Sequence, residues 1–140
     1  MKKYILSCGV IIVHHINQQP HYLLLRAYSN WDFPKGLVEP DEEPLDAAKR
    51  EVKEETTLDE LEFHWGEIYR ETEPYSRGKI ARYYLAESKS EEVDLPVSPE
   101  LGKPEHDEYR WVTYQQAMAL LAPRLHSIMD WAHGTISKKS

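Results

Sequence analysis

Three glutamates constrain this chain more than any other feature. Glu51, Glu54 and Glu55 stand within the stretch Gly36 to Leu58, GLVEPDEEPLDAAKREVKEETTL. Pro44 suits the first position of a helix, and the flanking Glu43 and Asp46 complement the positive end of its dipole, so a helix is predicted from Pro44 to near Thr56. On that helix the three carboxylates sit at i, i+3 and i+4 and share one arc of about 100°. Like charges so placed destabilise an isolated helix by roughly a few tenths of a kcal/mol per pair. A hard divalent cation offsets that repulsion, because Mg²⁺ and Mn²⁺ take carboxylate oxygens and keep water and substrate phosphates in their other positions. Leu45, Ala48 and Val52 form the adjacent apolar arc, and Asp46, Lys49 and Lys53 point elsewhere. Ala47 falls within the acidic arc, where a small side chain leaves room for a ligand. The competing explanation is a solvated charged face, which accounts for Lys49 and Lys53 beside the glutamates.

With 140 residues the chain fits a single domain, 1–140, able to bury a core without staples. Seventeen basic residues against 24 acidic ones leave a net charge of −7. That balance weighs against a broad basic face for nucleic acid, while a small cationic pocket for phosphates remains compatible with it. The lone Cys8 has no partner for an internal disulfide, so a reducing cytoplasm is expected, with the thiol buried in an apolar run. Lys2 and Lys3 precede a hydrophobic stretch as in a secretion signal, but Ser7 and Gly9 interrupt it and His14 and His15 end it without a cleavage site. It reads as a strand. No stretch approaches the roughly 18 apolar residues of a membrane span.

Tyr4 to Val13 and His21 to Tyr28 are apolar runs separated by turn residues Asn17 to Pro20, which predicts two strands. Ser29 to Asp41, broken by Pro34 and Gly36, reads mostly as loop. Beyond the helix, Leu61 to Thr72, Lys79 to Ser88 and Tyr109 to Thr113 read as strands, with Glu73 to Gly78 and the long Lys89 to Asp107 as loops. Tyr114 to Ala122 and Arg124 to His133 read as helices separated by Pro123, and Ser137 to Ser140 as a frayed tail. Strands on both sides of one helix, with further helices at the C-terminus, predict a mixed sheet packed between helical layers.

Gly36, Glu42, Arg50, Glu51, Val52, Glu54, Glu55 and Leu58 match the Nudix box, G-x5-E-x7-R-E-U-x-E-E-x-G-U with U a bulky aliphatic residue, and the chain resembles that family. A solvated charged face does not explain this spacing. Thr57 is the one departure, standing where the family has glycine at the helix exit; either the helix leaves by another route or the site carries strain. The resemblance implies an α/β/α sandwich and hydrolysis of a nucleoside diphosphate linked to another moiety. It assigns Glu51, Glu54, Glu55 and the Gly36 carbonyl to Mg²⁺ or Mn²⁺ and gives Arg50 the task of holding the carboxylates. Glu42 is a supporting residue, and one of the glutamates or a later-loop carboxylate is the base.

Outside the box, NWDFPKGLVEPDE, KIARYYLAE and EHDEYRWV resemble the asymmetrical diadenosine tetraphosphate hydrolases, which release ATP and AMP. That likeness implies that Tyr75 and Lys79 contact the phosphate chain, where the alternative is a surface aromatic and a solvated lysine, and that Lys35 is a further substrate-binding residue. It also implies that Glu105 joins the metal site, with Asp107 and Glu108 as its rivals and His106 as a proton carrier, a phosphate donor or a plain loop residue. Trp31 either stacks on a base or packs under its loop. Tyr83 and Tyr84 are candidates for the other stacking ring, but as neighbours on a strand they face opposite ways, so at most one serves. Trp65, Trp111 and Trp131 are expected to be core or interface residues. The expected partner is a dinucleoside polyphosphate, with no membrane and no stable nucleic-acid partner, and the expected state is a monomer or weak dimer. Two alternatives stand beside this: removal of pyrophosphate from RNA 5′ ends or from nucleoside triphosphates, and a non-catalytic Nudix regulator that binds nucleotide without cleaving it.

Overall fold

The structure is a computed structural model that describes residues 3–138. Strands β1 (Ile5–Ile16) and β2 (Gln19–Ala27) form an antiparallel hairpin. Its tight turn places Asn17 and Gln18 at φ 51° and 68°, the twist that two-residue hairpin loops favour. On its other side β1 runs parallel to β7 (Lys79–Ser88), with Ile5 opposite Lys79 and Val13 opposite Glu87. The sheet therefore mixes both pairings.

Shorter strands complete it. β3 (Asn30–Asp32) pairs with β2, and β4 (Lys35–Leu37) pairs with β1. Both fall in the segment that sequence pattern reads as mostly loop. They are three residues each, interrupted by Pro34, and they become strands because the edges of the long hairpin offer them backbone partners. The stretch Leu61 to Thr72 is likewise two strands, β5 (Leu61–Glu62) and β6 (Tyr69–Glu71), both on β7 and divided by a turn at Gly66. The long loop after β7 contains a small hairpin of β8 (Val97–Ser98) and β9 (Lys103–Pro104), and β10 (Glu108–Val112) then pairs with β2.

Alternation along β1 divides the core. Cys8, Val10 and Ile12 face the helix α1 (Pro44–Thr56), whereas Ile11 and Val13 face α2 (Tyr114–Leu120) and α3 (His126–Ser137). This is the expected sandwich of a mixed sheet between helices. Thr113 caps α2 in a reciprocal capping box with Gln116. Pro123 opens a 3₁₀ turn to Leu125, and α3 continues past His133 to Ser137, longer than periodicity indicates. Ser137 closes α3 instead of opening a tail, and Lys139 and Ser140 lie outside the described residues. Trp65, Trp111 and Trp131 are half-buried against the two cores.

Ala47 does not leave space for a ligand. It is fully buried with Ala48 and Val52 against the sheet, because the row Ala47, Glu51, Glu55 descends from the core towards the end of the helix, and only its later members reach the groove. The exit of α1 is the strained alternative: Thr57 adopts the left-handed region at φ 67°, and its N–H donates to the Lys53 carbonyl at 3.0 Å. A β-branched residue adopts that conformation poorly. Thr57→Gly should therefore stabilise the protein by about 1 kcal/mol, read as a higher urea midpoint with an unchanged slope; a lower midpoint would show that the threonine side chain contributes more than its backbone costs.

Candidate functional site

The box glycine is required by a close approach. A Cβ placed on Gly36 would lie 2.1 Å from the Glu51 carboxyl carbon, so any larger residue here would push the Glu51 carboxylate out of its place against β4. Arg50 ties the two elements together. Its Nε and Nη2 donate to the two oxygens of Glu42 at 2.8 and 3.0 Å, and Nη2 also reaches the Leu37 carbonyl of β4 at 3.0 Å. Nη1 donates to Glu51 at 2.8 Å and to Glu54 at 3.3 Å. A planar fork with five donors is the one side chain that can serve so many acceptors. Hydrogen bonding to Glu42 holds the guanidinium in its charged form, and the same bonds keep the Glu42 carboxyl below its ordinary range.

Glu55 lies deeper. It is 6% exposed, and neither carboxylate oxygen has a hydrogen-bond partner. Burial pushes its carboxyl up to about 11, with Glu51 and then Glu105 adding to the effect. Facing it from the loop after β9 is His106, whose Nε2 lies 3.9 Å from Glu55 and 4.0 Å from Glu105. One ligand atom from each of Glu55, Glu105 and His106 falls within 4.8 Å of the others. Burial lowers the His106 ring below its ordinary value, and burial followed by the charge of Glu51 raises Glu105. Orphaned, buried carboxylate oxygens beside a half-exposed carboxylate are what a hard divalent cation needs, and the mostly oxygen donor set suits Mg²⁺ or Mn²⁺ better than a soft metal.

These groups open into a groove of about 830 Å³ whose polar wall comprises Lys35, Glu51, Glu54, Glu55, Glu105 and His106. The β8–β9 hairpin forms its other wall through Pro96, Val97 and Pro99. Glu105 is the loop acid that faces the cluster, since Asp107 and Glu108 instead pair with Arg26 on β2 at 3.6 and 3.0 Å.

The structure thus brings Lys35, Gly36, Arg50, Glu51, Glu54, Glu55 and Glu105 onto one groove, and leaves Trp31, Tyr75, Lys79 and Tyr83 outside it. Tyr83 offers no stacking face: it is fully buried, its ring packs edge-on to Phe33, and its hydroxyl donates to Asp32 at 2.8 Å. Tyr84, on the opposite side, is 5% exposed and packs against Tyr69. The rings are covered from the two faces of the sheet, Tyr83 by Phe33 and the core under α2 and α3, and Tyr84 by the core on the α1 side with Tyr69 beside it. Trp31 is half-buried, with the Arg110 guanidinium 4.8 Å from its ring centroid. Tyr75 and Lys79 face each other across a backbone bridge at the start of β7, and Tyr75 also edges a second depression shared with Lys3, Tyr4 and Arg77.

Two polar residues escape sequence reading. Asp32 accepts from Tyr83 and lies 3.6 Å from both Lys35 Nζ and Arg124 Nη2. Nothing local marks either Asp32 or Arg124 as special, because the contact forms only when the 3₁₀ turn folds against β3.

The Glu55 carboxyl has a direct consequence for stability. Its folded value lies above the unfolded one, so between the two the folded chain holds a proton that the unfolded chain has lost, and stability falls as pH rises through neutrality. Glu55→Gln should then be at least as stable as the wild type at pH 8 in chelator, by thermal melting. The same variant should lose most of the stabilisation that Mn²⁺ gives the wild type; a full Mn²⁺ shift in the variant would rule Glu55 out as a ligand.

Comparison with known proteins places this geometry. The model of the NUDIX domain matches residues 6–132. The mouse asymmetrical bis(5′-nucleosyl)-tetraphosphatase is 33% identical over 126 residues, covering 81% of this chain and 82% of that protein. An RNA pyrophosphohydrolase of Bartonella henselae is 32% identical over 108 residues, covering 62% of this chain and 58% of its own. Among solved structures, a C. elegans Ap4A hydrolase in a binary complex superposes with a TM-score of 0.80 at 23% identity, covering 95% of this chain and 98% of the other. The family match spans nearly the whole sequence and the box residues converge on one groove, so the chain belongs to the Nudix family and is a hydrolase of phosphoanhydride bonds.

Proposed function

We propose that the protein hydrolyses bis(5′-nucleosyl) tetraphosphates asymmetrically, releasing ATP and AMP from the diadenosine form. The observation that carries this reading is the likeness to the mouse asymmetrical tetraphosphatase, which extends over 81% of the chain. Tyr75 and Lys79 lie outside the acidic groove, so they would meet the substrate only through a phosphate chain that extends beyond it.

In this reading Glu51, Glu54, Glu55, Glu105 and the Gly36 carbonyl hold Mg²⁺, with Mn²⁺ able to replace it. When bound, the cation neutralises phosphoryl oxygens and makes hydroxide available at neutral pH. Glu54 is the general base. Its side chain is 58% exposed, more open to water than Glu51 or Glu55, and Arg50 reaches it only at 3.3 Å, so it would take the proton from water in exchange for its place on the cation. Arg50 orients Glu51 and Glu54, which phosphoryl transfer needs more than covalent participation. Lys35, Tyr75 and Lys79 position the chain, and Trp31 acts through packing because Arg110 covers its ring. Water adds to one phosphorus as its bond to the bridging oxygen breaks; AMP and ATP leave. The segment 1–140 is read as one domain acting as a monomer or weak dimer in a reducing cytoplasm, without a stable nucleic-acid partner. Among the described residues no helix is long and apolar enough to cross a membrane.

The second reading, removal of pyrophosphate from RNA 5′ ends, draws on the likeness to the Bartonella RNA pyrophosphohydrolase. Incubation with Mg²⁺ and each substrate separates the two. ATP plus AMP from the dinucleotide supports the proposal; pyrophosphate from triphosphorylated RNA with the dinucleotide left intact overturns it. Nucleotide binding without turnover under any divalent metal would instead indicate a regulator. Glu54→Gln should lower kcat by about 100-fold or more with an unchanged melting temperature, and near-wild-type turnover would remove Glu54 from the mechanism.

A further inference from the structure

Asp32 and its neighbours form a polar cluster that the hydrolytic groove does not use directly. The Asp32 carboxylate is 19% exposed and accepts from Tyr83 at 2.8 Å and from the Phe33 N–H at 2.7 Å. Its Oδ2 lies 3.6 Å from Lys35 Nζ and 3.6 Å from Arg124 Nη2. Two cations thus share one carboxylate oxygen, and the cluster keeps a net positive charge. Since both nitrogens contact the same atom, they lie at most about 7 Å apart.

The two cations face different places. Lys35 lines the acidic groove. The Arg124 guanidinium lies 4.3 Å from the Tyr75 ring centroid, and its side chain is 35% exposed. Tyr75 in turn pairs its backbone with Lys79. Positive charge therefore continues from the groove at Lys35 to the Arg124 guanidinium over the Tyr75 ring, on a protein whose net charge is −7. A guanidinium resting on an aromatic face keeps the in-plane donors at its edge available to an anion, and such a fork matches phosphate oxygens.

We propose that Arg124 is a specificity-determining residue that grips the phosphates distal to the reacting one, so that substrates with a longer phosphate chain depend on it and single phosphates do not. The proposal rests on the reading that the substrate carries a polyphosphate chain. Arg124 is stacked on Tyr75 and steadied by Asp32, which fixes the guanidinium before ligand arrives and lowers the entropy lost on binding.

The test uses inorganic tripolyphosphate and orthophosphate as probes, titrated calorimetrically in Mg²⁺ into the full chain carrying Glu54→Gln to suppress turnover. Adding Arg124→Gln should weaken tripolyphosphate about tenfold, the loss of one charge-assisted contact, and orthophosphate less than about twofold. Equal weakening of both anions, or of neither, overturns the proposal. Should the glutamine variant fail to melt cooperatively, Arg124→Lys decides instead: its ammonium keeps the charge but gives up the fork, so a selective loss for tripolyphosphate of about threefold supports the grip and no loss overturns it. With Glu54 restored, Arg124→Gln should raise KM for the polyphosphate substrate more than it lowers kcat. A wild-type enzyme that leaves diadenosine tetraphosphate intact would sink the substrate reading while the anion titration still stands on its own.

Discussion

Arg50 is the interaction on which the site depends. Glu51, Glu54, Glu55 and Glu105 converge on a groove that Glu39 and Glu100 also line, and two unit charges about 4 Å apart repel by about 4 kcal/mol at the effective dielectric of a protein surface. The fork of Arg50 relieves part of that repulsion for Glu51 and Glu54, and its grip on Glu42 and the Leu37 carbonyl fastens the helix to β4. Glu55 lies beyond its reach and holds a proton instead. The groove thus folds under an electrostatic load that Arg50, with Lys35 beside Glu105, counters in part, so a bound divalent cation is expected to act on stability as well as on chemistry.

The backbone makes the arrangement possible through two glycines. A Cβ on Gly9 of β1 would fall 2.1 Å from the Pro34 carbonyl, and one on Gly36 would meet Glu51. Between these two close approaches the chain from Phe33 to Leu37 is pressed flat between β1 and the helix. Lys35 is thereby carried to the mouth of the groove, and Asp32, two residues before the bend at Pro34, is turned towards the layer of α2 and α3. A single short segment thus contributes to two clusters on different sides of one sheet edge.

What sequence could reveal follows the range of the forces involved. The helix from Pro44 to Thr56 and its acidic arc are set by local spacing, and the structure places both as the pattern predicts. Ala47 and Tyr83 were misjudged because angular position and strand alternation say which residues share a face but not what covers it. Helix row and sheet layer decide that Ala47 packs on the sheet, and Phe33 with the core under α2 and α3 closes over the Tyr83 ring. The short strands β3 and β4 were unreadable for the same reason, since their hydrogen-bond partners come from β1 and β2. Glu105 was separable from Asp107 and Glu108 only once Arg26 was seen to hold the latter two. Asp32 and Arg124 carry no local signature at all.

The distribution of charge explains how an acidic protein binds a more acidic ligand. A polyphosphate approaching a surface of net charge −7 is repelled at long range, but repulsion between exposed charges fades over roughly 8 Å at physiological ionic strength. Inside that distance local charge decides. On the proposed reading divalent cations would reverse the sign of the glutamate cluster beside Lys35, while Arg124 and Lys79, which do not line that groove, would supply fixed positive charge away from it. On that reading the carboxylates would serve the reacting phosphate through exchangeable cations, while arginine and lysine would serve the rest of the chain directly. Discrimination between short and long phosphate chains would then belong to the fixed charges, because a metal cluster meets the same reacting group in every substrate.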